Sequence, residues 1–153
     1  MKKLLLVSLL SAMGTSTYSA SECSINFTSN NMLNTIIKEN KFDFENYDTV
    51  CQHLKSANAT VYLAYHSDIS DLQTTAAVIA TLGDRNLPIK SNLYHTSMWS
   101  NPERTTAMEE KLLMSAVNDV LNSIKQKDIE SLNATRKKLG FKTYPVSTNT
   151  NKK

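Results

Sequence analysis

Groups able to do chemistry are few in this chain, and they are scattered. His66, Asp68 and Asp71 place an imidazole and two carboxylates close together, the donor types that hold a transition metal. The intervening Ser67 and Ser70, like the two aspartates, are also turn formers that bond their own backbone, and the spacing matches no ligand motif. No metal is expected there. Glu109 and Glu110 are adjacent; on a helix they point about 100° apart and cannot flank one glycosidic bond as a carboxylate pair must. The sequence contains no GxSxG, HExxH, phosphate-binding glycine loop or paired CxxC, and only 3 glycines. No catalytic residue and no cofactor is assigned, and the expectation leans away from an enzyme.

Residues suited to binding are easier to find. Tyr94, His95, Trp99 and Arg104 lie within one short stretch, and amphipathic aromatic rings and arginine are frequent anchors at protein interfaces. They form the candidate interface. The competing expectation is that Trp99 packs into the core where a strand meets a helix.

The elements that must position these side chains centre on residues 73–124. Ala76, Val78, Ala80 and Leu82 alternate with Ala77 and Ile79, a strand pattern apolar on both faces and therefore expected to be covered on both. Gly83, Asp84, Arg85 and Asn86 read as a hairpin turn with positive-φ positions. A second arm, residues 87–99, leads to a helix expected to start at Asn101 and Pro102. Leu113, Ala116, Val117, Val120, Leu121 and Ile124 recur at helical spacing. Val78, Ile79, Leu93, Val117, Val120 and Leu121 are the expected core.

Upstream, residues 31–40 read as a short helix with Leu33, Ile36 and Ile37 inward, and Asp43 as the cap of a second helix carrying Val50, Cys51 and Leu54. Residues 59–66 read as the first strand. After residue 127, Asp128 is expected to cap a last helix bearing Ile129, Leu132 and Leu139, stopped by Gly140. Arg136, Lys137 and Lys138 are read as a charged helix end that complements the helix dipole.

The chain opens with Met1–Lys3, the apolar run Leu4–Ala12 and the small residues Ser19–Ser21, the pattern of a secretory signal peptide. Residues 1–21 are the expected leader, 22–141 a single domain, and 142–153 a disordered tail poor in apolar residues. The apolar run is too short for a comfortable membrane span, so no transmembrane segment is expected in the mature chain. Loss of Lys2 and Lys3 takes the net charge from +3 to +1; without clustered basic residues, no nucleic-acid partner is expected. In a periplasmic or secreted setting Cys23 and Cys51, the only 2 cysteines, are expected to form a disulfide. Closing that loop stabilises by about 3.6 kcal/mol on the chain-entropy account.

Grouped strands flanked by helices indicate an α+β fold: a three-stranded antiparallel meander packed against helices in two layers, order α-α-β-β-β-α-α. The functional expectation is a small exported binding protein with another protein as partner, an inhibitor or immunity protein against an envelope-acting enzyme or toxin. Two alternatives are an accessory subunit of a cell-envelope transport or assembly complex, and a small exported hydrolase with a dispersed active site. The sequence leaves the oligomeric state open.

Overall fold

The computed structural model describes residues 23–146. The expected leader, and residues 147–153 of the expected tail, lie outside the described residues. The chain enters through β1 (Phe27–Thr28) and turns into α1 (Asn31–Asn40). Asn30 caps this helix by accepting the Leu33 amide at 3.0 Å, and Leu33, Ile36 and Ile37 are buried as expected. The next helix, α2 (Tyr47–Ser56), has Asn46 rather than Asp43 at its N-cap position. The reason is tertiary. The amides of Asp43 and Asn46 donate to Asn118 and Asn122, which hold the intervening segment out of helix.

Asn58, at φ 48°, redirects the chain into β2 (Ala59–Ile69). β3 (Thr74–Asp84) and β4 (Lys90–Asn101) follow as consecutive antiparallel partners. The expected three-stranded antiparallel meander is therefore part of a larger sheet. β1 adds a fourth strand parallel to β2, at Val61 and Tyr62, giving the order β1-β2-β3-β4. A two-residue strand carries too little periodicity to be read from sequence.

The turn after β3 differs from expectation. Gly83 lies in the strand, and Gly140 is the only glycine with positive φ among the described residues. Glycine is required at 83 for another reason: a Cβ there would run into the Tyr62 ring. The turn itself is organised by Asp84, whose Oδ1 accepts the amides of Asn86 at 2.8 Å and Leu87 at 3.1 Å.

The long helix α3 spans Thr106–Asn122 and is capped by Thr105, which accepts the Met108 amide at 3.1 Å. Asn101 does not cap it. That side chain accepts the Glu103 amide at 2.8 Å, while Thr74 donates to the Glu103 carbonyl and Arg104 to the Asp71 carbonyl, both at 2.7 Å. These bonds keep residues 102–105 out of the helix. α4 (Gln126–Lys138) closes the fold; Asp128 accepts the Lys125 amide at 2.7 Å from within its first turn.

α3 packs on all three long strands, α4 on β4 and β3, and α2 on β2. The core lies between these helices and one face of the sheet, where Val61, Val78, Val117, Val120 and Leu121 are sealed. Cys23 and Cys51 form the expected disulfide, their Cα atoms 6.0 Å apart.

Two expected core residues are not in it. Ile79 is 47 % exposed and Leu93 40 %. The helices all serve one face of β3, so its second apolar face stays outside, and Leu93 sits on the edge strand. Leu139 is likewise exposed rather than buried.

The basic helix end also needs correcting, since Arg136 is fully buried while Lys137 and Lys138 are exposed. Its guanidinium meets Asp84 at 2.6 Å, donates to Asn133 Oδ1 at 3.0 Å and to the Asn58 carbonyl at 3.1 Å, and lies 4.6 Å from the centre of the Tyr144 ring. Burial alone pushes the Asp84 carboxyl up. The amides of Asn86 and Leu87 and the Arg136 charge outweigh burial and hold it below its ordinary value. The same cluster secures residues 142–146: Asn133 donates to the Tyr144 carbonyl at 2.8 Å and accepts its amide at 3.1 Å.

Candidate interaction surface

Strand alternation decides which side chains the sheet presents. Odd residues of β2 and even residues of β3 face the helices, so even residues of β2 and odd residues of β3 face away. The register sets them in rows with β4: Tyr62, Thr81 and Tyr94; Ala64, Ile79 and Thr96; His66, Ala77 and Met98. No described element covers these rows. Tyr94 is 69 % exposed and Met98 77 %, and together with Ile79 they make an apolar band across the strands. Charge is confined to the margins, with Asp68 at one end and Lys90 at the other, its Nζ 4.1 Å above the Tyr62 ring.

The face carries two open hollows. One of about 140 Å³ lies among Ala64, Tyr65, His66, Ala77 and Ile79; the other, of about 310 Å³, lies toward β1 among Thr28, Ser29, Tyr62, Ala64, Ile79, Thr81 and Lys90, at the lower end of the range typical of a small-molecule pocket. A larger, open hollow of about 330 Å³ lies elsewhere, between α1 and the start of the chain, lined by Phe27, Phe42 and Tyr47 with Lys38 and Lys41 at its rim.

The structure sets the four candidate residues on different faces. Tyr94 stands on the open face. His95 is adjacent in an extended strand and so points the other way, to a 2.9 Å contact between its Nε2 and Asp128 Oδ1. Trp99 also faces the helices; its indole donates to Asp119 Oδ2 at 2.8 Å, alongside Ser97 at 2.9 Å. It remains 44 % exposed, between the core and interface expectations. Arg104 lies on the loop and braces Asp71. Tyr94 and Met98 are brought together with Ile79 instead, a grouping that strand parity could have found once Ile79 was left uncovered.

His66 and His95 occupy opposite faces, and the carboxylates near His66 do not join it: among the described residues no three of His, Cys, Asp and Glu gather as a metal site. Glu109 accepts from Ser67 Oγ at 2.5 Å, which ties α3 to β2.

At the far end of the hairpin, residues 70–73 form a tightly bonded tip. Ser70 Oγ donates to the Gln73 carbonyl at 2.8 Å and accepts the Gln73 amide at 3.1 Å. Leu72 projects from it, 85 % exposed, beside Asp71.

No described helix is long and apolar enough to cross a membrane. Comparison with known proteins finds no family model that matches the chain, no match among curated proteins and none among solved structures.

Proposed function

We propose that this chain is an exported protein-binding module that docks through the open face of its sheet. The observation that carries this reading is the apolar band of Ile79, Tyr94 and Met98, which no described element covers. Contiguous exposed apolar surface marks an interaction site more often than isolated apolar residues do. A broad, open docking face fits an accessory subunit held on a larger envelope assembly. Export is supported by the leader-like start and by the disulfide between Cys23 and Cys51.

A second reading, an inhibitor or immunity protein that inserts a loop into a partner's cleft, is favoured by the rigid tip bearing Leu72 and Asp71. The two readings separate experimentally. Tagged mature protein is used to capture partners from periplasmic extract, with Ile79→Asp/Met98→Asp and Leu72→Asp as variants. Loss of the captured partner with the face variant alone, at unchanged thermal stability, is the expected result. Loss with Leu72→Asp alone transfers the function to the tip, and capture of nothing by the wild type overturns both.

A further inference from the structure

β4 ends the sheet, and no described strand pairs with its outer rail. Natural edge strands are kept from pairing by charge, proline, short length or bulges. β4 has twelve residues, Lys90–Asn101, and from Ser91 to Asn101 it contains no Lys, Arg, Asp, Glu or Pro. One irregularity, between the pairs Thr81–Tyr94 and Gly83–Lys90, takes up Ser91–Leu93, and the strand is regular from Tyr94 to Asn101. The remainder offers a straight, uncharged rail to another strand.

Its exposed side chains are arranged symmetrically about Thr96. Leu93 and Trp99 lie three residues to either side, both facing the helices, at 40 % and 44 % exposure; Tyr94 and Met98 lie two to either side, both on the open face, at 69 % and 77 %. His95 and Ser97 come between, each held by a helix carboxylate. In antiparallel pairing, directly opposite residues share a face. A two-fold axis through Thr96 would therefore set Tyr94 against Met98, His95 against Ser97 and Thr96 against itself, with no like charges opposed. An interface built from one patch used twice must be self-complementary in this way.

We infer that β4 pairs antiparallel with β4 of a second copy, about a two-fold axis at Thr96, forming one continuous eight-stranded sheet. The inference rests on the edge rather than on the partner proposed for the open face, and it stands if that partner is never found. Dimerisation would join the two open faces into a single docking surface.

Sedimentation of the mature, oxidised protein from micromolar to millimolar concentration tests association; the expected result is a monomer–dimer equilibrium. Register is tested by cysteine placement, since the native cysteines are already paired. Thr96→Cys is expected to cross-link to itself under mild oxidation. Tyr94→Cys and Met98→Cys are each expected to remain uncross-linked alone and to cross-link when mixed. Thr96→Lys, which brings two ammonium groups together on the axis, is expected to abolish the dimer at unchanged thermal stability. A protein that stays monomeric throughout overturns the inference. A dimer in which Thr96→Cys fails to cross-link, or Met98→Cys cross-links to itself, overturns it equally.

Discussion

Two regions of the same sheet reverse the ordinary relation between polarity and burial. Where β3 turns toward β4, Asp84 and Arg136 are sealed from water, at 3 % and 0 % exposure; in the middle of the sheet Ile79, Tyr94 and Met98 are left in it. The buried charges are fully answered, since Asp84 accepts two amides and the guanidinium, and Arg136 also finds Asn133, Asn58 and the Tyr144 ring. The exposed band has no comparable partner among the described residues. A buried polar cluster with every group satisfied is explained by the fold alone. An exposed apolar band is not, and so function is sought there rather than at the charges.

The sharpest way to break this comparison is at the sealed pair. Asp84→Asn leaves Arg136 buried without a counter-charge, and the expected cost is about 3 to 5 kcal/mol by urea denaturation. A loss below about 1 kcal/mol, as for an exposed pair, would mean that water reaches the cluster. Acid gives a milder version of the same test. Because folding lowers the Asp84 pKa from 3.8, its contribution is fully present above that value and is lost as the pH falls through the lower folded value. Wild-type stability should decline there, and the Asn variant should lack that part of the decline.

The smallest effect is expected on the open face. Ile79→Thr or Met98→Thr should change stability by no more than about 0.5 kcal/mol, as for other surface sites. A loss of about 2 kcal/mol or more, of the size seen for core truncation, would show that another part of the chain covers the face in solution. The contrast between structural charge and functional apolar surface would then collapse.

Much of the fold was legible because its signals are local. Leu33, Ile36 and Ile37 at helical spacing, the alternation from Ala76 to Leu82 and the stripe through Val117, Val120 and Leu121 each mark an element without reference to the rest. What failed depends on contacts far apart in sequence. Arg136 resembles its neighbours Lys137 and Lys138 until Asp84, 52 residues away, is brought against it. A local clue existed, since Ile129, Leu132 and Arg136 fall on one helical stripe. Ile79 misled for the opposite reason: periodicity shows that both faces of β3 are apolar but not how many layers of helix exist to cover them. The candidate interface combined residues of opposite parity, Tyr94 with His95 and Trp99, which an extended strand sets on opposite faces.

The opposite edge of the sheet has its own guard. β1 is only two residues long, yet it occupies the outer rail of β2, with the Val61 amide donating to the Asn26 carbonyl at 3.0 Å. So short a strand has little cooperative stability of its own. It is held because the disulfide at Cys23 and the start of α1 at Asn31 tether it on both sides, raising its effective concentration at β2. Reduction should loosen this plug first, seen as faster amide exchange at Val61 with Val78 still protected; unchanged exchange at Val61 would show that β1 needs no tether. The plug is partial: β1 pairs with β2 only at Val61 and Tyr62, so among the described residues no strand lies beside β2 from Leu63 to Ile69. Reduction would extend that open rail back to the start of β2. The redox state of a single bond would then set how much of this edge is presented to another strand.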